Sequence, residues 1–322
     1  MKITICAVTI AVLAGGFTAC SYAQSYPSKP IRMVVPFPPG GGADAIGRWL
    51  TQKMSESLGQ QVVVDNRGGA GGNIGMEHVA NSAPDGYTIA LAHTSQYAIN
   101  PSLYPKLPYD PVKDFAPITL LANTFYVMAV HPSVPAKSVK EFIALAKSRR
   151  SQLTYSSPGH GSMTHLAAEL LRRSAGVEML HVPYKGGGPA LLDLVAGQVH
   201  VTILTYNTLS SSLKSGKLRA LGVTTLERAP VLPEVPAIAE TVPGYRADVW
   251  YGVVAAAGTP RDIIARLNQE ILRALKAPEV RQRFAQVALQ PIGSAPAQLG
   301  DHIKSEIAKW AVIVKGLGAK ID

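Results

Sequence analysis

Cysteine is nearly missing from this sequence: Cys6 and Cys20 are the only two, both in the first twenty positions of a 322-residue chain. Beyond them no disulfide can form and no Cys-x-x-Cys metal or redox motif exists, so stability must come from a buried core. Long apolar runs are absent after the N-terminal stretch, which leaves no later segment with the length of a membrane span. Charge runs are absent too. The net charge is +10, but lysines and arginines are scattered and mostly single, unlike the clustered basic face of a nucleic-acid binder. Arg149-Arg150 and Arg172-Arg173 fall at the C-terminal ends of predicted helices, where cations complement the helix dipole. H-E-x-x-H is missing, no Lys-Ser or Lys-Thr follows the glycine-rich loops as a P-loop needs, and Ser162 lacks a G-x-S-x-G setting. His78, His93, His131, His181, His200 and His302 are dispersed and suggest no metal cluster.

What is present begins with MKITICAVTIAVLAGGFTACSYAQ: one lysine, an uncharged apolar run, then small residues. This is the layout of a secretory signal, with cleavage expected after Ala23. A transmembrane helix and lipidation at Cys20 are the alternatives; Phe17 stands where a lipobox carries leucine. Removal of residues 1–23 leaves enough chain for two ordinary domains.

Short Val/Ile/Leu-rich runs alternate with helical periodicity, which predicts an α/β architecture with mainly parallel strands. A strand over Ile31–Phe37 leads into a helix from about Gly42, with Ile46, Leu50, Met54 and Leu58 as its buried stripe. Strands at 61–65 and 87–92 follow, separated by a glycine-rich loop and a helix. The series recurs with a strand at 153–156, the loop Ser157–Gly161, a helix from Ser162, a strand at 179–183, a second glycine loop, a helix from Pro189 and a strand at 199–204. Gly42 is separated from Gly161 by nearly the same interval as Gly69 from Gly186. The order predicts two βαβ-type lobes that aim helix N-termini at a shared cleft. Lobe 1 comprises residues 24–123 plus about 225–322, and lobe 2 about 124–224. The crossing falls within 118–131, the return near Thr205 or within 243–254, and the C-terminal helices pack on the first lobe.

Glycine turns between strand and helix N-terminus present converging backbone N–H groups, a ready anion site. The first is Phe37-Pro38-Pro39-Gly40-Gly41-Gly42-Ala43-Asp44. It fits a loose dinucleotide fingerprint, with Asp65 in the place of a ribose acceptor, but Pro38 and Pro39 lengthen the turn and remove donors. Asp44 reads as a first-turn residue bonded to loop amides, or as a ligand contact. The second loop runs from Ser157 to Thr164, with Gly161 at its turn and Ser162 and Thr164 as hydroxyl donors. Two such loops could clamp one carboxylate through neutral donors. Tyr184, Lys185 and Gly186 form a third cleft element, and Thr94 and Ser95 leave a strand at the end where open α/β sheets bind ligands. A rival reading is an exported hydrolase using Ser162 with His160 or His165. No cofactor and no metal are expected.

The blocks YPSKPIRMVVPFPPGGGAD, VVVDNRGGAGGNIG, APDGYTIAL, LTYSSPGHGSMTHLAAELL, VPYKGGGPALLDLVAGQV and GKLRALGVTT resemble the Bug-type solute receptors of tripartite tricarboxylate transporters, from about Tyr26 to the C-terminus. The resemblance implies a periplasmic, two-lobed, non-enzymatic binding protein of the Venus-flytrap kind. Such a receptor closes on a small organic carboxylate and is read by membrane transporter subunits or a sensor kinase; it is expected to be a monomer that does not bind nucleic acid. It also implies that the carboxylate is held by Phe37–Asp44 and Ser157–Thr164. One departure is Leu204, where family members often carry an acid. With Phe37, Tyr97, Tyr184 and Tyr206 expected nearby, the reading favours an apolar or aromatic carboxylate.

Overall fold

The computed structural model describes residues 26–149 and 151–317. The expected signal peptide, Cys20 and Arg150 lie outside the described residues. The first half of the fold runs β1 (Ile31–Val35), α1 (Gly42–Leu58), β2 (Val62–Asn66), α2 (Asn73–Ala80), β3 (Thr88–His93), α3 (Asn100–Leu103) and β4 (Phe115–Thr124). The chain then builds β5 (Tyr126–Val130), α4 (Val139–Ser148), β6 (Thr154–Ser157), α5 (Met163–Ala175), β7 (Leu180–Pro183), α6 (Gly187–Val195), β8 (Val201–Thr205), α7 (Tyr206–Lys214) and β9 (Arg219–Val223). It ends with β10 (Val249–Ala256), α8 (Arg261–Lys276), α9 (Pro278–Gln286), β11 (Gln290–Pro291) and α10 (Pro296–Leu317).

Two sheets result, ordered β11-β4-β10-β3-β1-β2 and β7-β6-β8-β5-β9. Both are mixed rather than mainly parallel. The βα units contribute parallel pairs β1–β2, β1–β3, β6–β7 and β6–β8. The strands next to the crossings, β10 and β5, pair antiparallel with their neighbours. Periodicity reports an element's type but not its direction, so a strand returning from the other sheet looks the same as one arriving by a βαβ crossover.

Local rules account for the elements that carry the loops. Pro36 has no N–H to extend the ladder, and β1 stops at Val35. α1 lays Ala43, Ile46, Leu50 and Met54 against Ile31, Met33 and Val35 in one buried cluster. Gly47 is needed there, since a Cβ would sit 2.9 Å from Val35 Cγ2. α5 is capped by Ser162, whose hydroxyl accepts from His165 N at 3.2 Å.

The register shows where the sheet ends meet. β10 pairs Tyr251 with His93, at the C-terminal end of β3, and Val249 with Thr124, the last residue of β4. After Phe125 the next strand starts with Tyr126 opposite Thr205, the C-terminal end of β8. The loop-bearing ends of both sheets therefore adjoin the crossing. Residues 225–247 stay with the second sheet: Val223 N donates to Pro236 O, Ala247 N donates to Thr224 O, and Ile238, Val242 and Tyr245 join a cluster with Met128 and Leu166. The return runs through Asp248, which is buried and held by Arg246 at 2.7 and 2.8 Å. Burial alone would raise the Asp248 carboxyl, but that two-pronged contact outweighs it and leaves it below the usual carboxylate range. α10 belongs to both halves. Its Leu299 and Ile303 cluster with Ala92 and Trp250, while Trp310 and Val314 share a cluster with Leu171 and Tyr245.

Candidate functional site

The first loop, 36–41, joins β1 to α1 at the C-terminal end of the sheet. Gly41 is the N-cap residue, extended at φ −86° and ψ 174°, and offers no side-chain cap. First-turn N–H groups have no intrahelical partner, and those of Gly41, Gly42 and Ala43 find none among the described residues. Gly41 and Gly42 are exposed. Asp44, by contrast, is 5% exposed. Its Oδ2 accepts from Gly40 N and Arg48 Nε, both at 3.0 Å. The Arg48 contact is the main reason its carboxyl lies below the usual range. Asp44 thus shapes the loop from beneath. Pro38 is exposed, and Phe37 is half-buried with its ring edge-on to His93, which meets Tyr251 in turn, at 5.2 and 5.0 Å. Sequence reasoning missed His93 and Tyr251; burial pushes the His93 imidazole down to about 3, so this aromatic cluster beside the loop is uncharged.

The second loop joins β6 to α5 at the corresponding end of the other sheet. The N–H groups of Met163 and Thr164 have no partner among the described residues. Not all the expected donors are free. Gly161 N donates to His165 Nδ1 at 3.1 Å, Gly159 N to Ser157 Oγ at 3.2 Å, and Gly186 N to Pro158 O at 3.0 Å. Gly161 turns the chain at φ +71°, where an L side chain would be strained. Ser157 is fully buried, and Thr164 is buried with its hydroxyl 3.2 Å from Ser162 Oγ.

Four expectations change with the structure. Thr94 is not a cleft contact: it is fully buried and its hydroxyl accepts from Trp250 N at 2.9 Å, tying β3 to β10. Ser95 remains half-buried beside it. Tyr97 is core, packed with Phe115 and Trp250. The Tyr184 hydroxyl donates to Asp193 Oδ2 at 2.7 Å, so it braces α6. The histidines are not all dispersed either, because strand pairing of Tyr155 with His181 brings His181 against His160 and His165.

The enzyme readings lose their geometry. Ser162 Oγ donates to Gly159 O at 2.8 Å and caps α5 by accepting from the His165 backbone N–H, with no imidazole nitrogen bonded to it among the described residues. Ser157 Oγ does meet His181 Nε2 at 2.7 Å, but Ser157 is fully buried and, among the described residues, His181 Nδ1 has no third group to orient it. Asp65 Oδ2 is taken by Arg32 and Arg67, at 3.1 and 2.8 Å, instead of awaiting a ribose. Ser162→Ala is expected to lower stability by about 1 kcal/mol through loss of the cap, read by chemical denaturation. A larger loss would mean that the hydroxyl holds more than the helix end. Surface cavities of about 280 Å³ beside Lys140 and Thr241, and about 210 Å³ beside Trp49 and Glu279, contain no loop residue. Strand polarity and free amides, not cavity size, single out the site.

Comparison with known proteins agrees with this architecture. Residues 46–319 match the family described as "Tripartite tricarboxylate transporter family receptor". Protein BugT of Bordetella pertussis is 37% identical over 316 residues, covering 98% of this chain and 97% of its own. Two solved structures superpose closely. "R. palustris Rpa4515 with adipate" is 36% identical with a TM-score of 0.82, covering 92% of this chain and 100% of that one. MatC from Rhodopseudomonas palustris with bound malate is 35% identical with a TM-score of 0.77, covering 90% and 100%. With a two-lobed fold, glycine loops at matching sheet ends and a family match over most of its length, the chain belongs to the solute-binding receptors of the tripartite tricarboxylate transporter family, the group that includes the Bug proteins.

Proposed function

We propose that this protein is a non-enzymatic periplasmic receptor that captures a small organic carboxylate between two lobes and delivers it to a tripartite tricarboxylate-type transporter or a sensor. The lobes are residues 26–124 with 248–317, and residues 126–247. The observation that carries the reading is the pair of loops at the adjoining sheet ends, each with unpartnered N–H groups at the start of a long helix. The carboxylates named for the two R. palustris structures support the ligand class.

The donors are main-chain N–H groups of Gly41, Gly42 and Ala43 on one side and of Met163 and Thr164 on the other. Neither set alone can satisfy both carboxylate oxygens in a desolvated site. Affinity is therefore higher in the closed state, and the ligand shifts the population toward it. Phe37, His93 and Tyr251 give one wall an uncharged aromatic surface, which favours a ligand with an apolar body.

The test is a melting-temperature screen of mono- and dicarboxylates, adipate and malate included, on protein unfolded and refolded to remove bound ligand. At a concentration about 100 times Kd a ligand adds about 2.7 kcal/mol, equivalent to roughly 4–5 °C for a chain of this size. At least one carboxylate is expected to reach that range. A flat response across the panel would contradict the reading.

A further inference from the structure

We propose that His160, His165 and His181 form a binding site for a transition-metal ion of the zinc or nickel type, on the flank of the second loop. The three residues come from three places: the loop tip, the first turn of α5, and β7. Each offers a ring nitrogen, and these atoms all lie within 4.8 Å of one another. His160 is exposed and opens the cluster to solvent, while His165 and His181 are half-buried.

The hydrogen bonding leaves a lone pair without an acceptor role. Ser157 Oγ donates to Gly159 O at 3.1 Å and lies 2.7 Å from His181 Nε2. When that hydroxyl proton goes to Gly159 O, His181 Nε2–H is the donor to Ser157, and Nδ1 is the bare nitrogen available to an ion. That Nδ1 is buried and has no hydrogen-bond partner among the described residues. An imidazole oriented through one nitrogen with the other left free is the arrangement that metal sites use. Burial lowers the affinity of His165 and His181 for protons, His181 to about 4, so both are neutral near pH 7 and able to ligate. His160 already stands nearly perpendicular to both rings, at 82° and 87°.

The remaining geometry shows what metal capture must change. His165 and His181 stack at 4.1 Å and 15°, and two parallel rings cannot aim their in-plane lone pairs at one point. A bound ion tilts them apart. It also takes the His165 lone pair that Gly161 N–H now holds, and the glycine on either side of His160 lets the loop yield. Three imidazole nitrogens replace water on the ion. An all-nitrogen set suits zinc, nickel or copper and disfavours magnesium or calcium. Three histidines leave a fourth position for water or a carboxylate.

The experiment uses tag-free, chelator-treated protein without carboxylate, titrated with zinc chloride and nickel chloride by calorimetry. Cobalt absorption serves as a second readout of nitrogen coordination. Wild type is expected to bind a single equivalent with micromolar or tighter affinity. His160→Ala is expected to weaken binding by about tenfold or more while leaving the metal-free melting temperature unchanged, because that side chain is exposed. His131→Ala is expected to bind as wild type does. No binding by the wild type, or equal affinity in His160→Ala, would overturn the proposal. Because carboxylate is left out, either result leaves the receptor reading to its own test.

Discussion

Gly41→Asp is expected to remove carboxylate binding without harming the fold. Gly41 is exposed, its backbone is extended, and a Cβ would meet only Pro38 O at 3.8 Å. Any residue fits there, and aspartate is among the preferred N-caps. Its carboxylate would accept from first-turn N–H groups, that of Ala43 among them, and would place a negative charge beside those of Gly41 and Gly42. Two lost charge-assisted hydrogen bonds are worth roughly 3–6 kcal/mol, or about a 10²–10⁴-fold loss of affinity. The melting temperature of the ligand-free protein should hold or rise. Calorimetry with the best carboxylate from the screen, together with a thermal melt, checks both halves. Retained affinity would remove the first loop from the site, and a lowered melting temperature would mean that the substitution disturbs the fold.

Trp310→Ala is expected to give the largest stability loss, about 3–5 kcal/mol for truncating a buried tryptophan. Trp310 is fully buried near the end of α10. Its cluster takes Ala98, Ile99 and Leu103 from the first lobe and Leu171 and Tyr245 from the second. Its indole N–H donates to the buried Glu306 at 3.2 Å, so removal also leaves a carboxylate with one partner fewer. Urea unfolding followed by two probes is the measurement: one cooperative transition in the wild type and two separated transitions in the variant. A change within about 0.5 kcal/mol, the ordinary range for a surface substitution, would show that α10 does not tie the lobes together.

The parts of this molecule legible in sequence are those governed by neighbours along the chain. The glycines after Pro39 and the Ile46–Leu50–Met54 stripe mark the β1–loop–α1 unit without tertiary information, although the strand expected to reach Phe37 stops at Val35, before Pro36. Ser162 before an amphipathic run marks the start of α5. What remained hidden depends on contacts between distant segments. Thr94 ends a strand and looks like a loop ligand, but its hydroxyl is fixed by Trp250 N. His181 looks solitary until the parallel register of β6 and β7 sets it beside Tyr155 and under His160. Gly161 is a turn glycine in both readings, yet its amide is held by His165, which no spacing rule reveals. The element order in sequence assigns the segment 225–247 to the first lobe, while the pairing of Val223 with Ala237 keeps it on the second sheet.

The central claim is that one ligand is gripped by main-chain donors from both loops at once. Amide resonances of isotope-labelled protein, followed while titrating the carboxylate that stabilises it most, test this directly. Gly41, Gly42 and Ala43 are expected to shift together with Met163 and Thr164, at one common midpoint. Shifts confined to one set, or two sets with different midpoints, would contradict a shared anion held across the cleft.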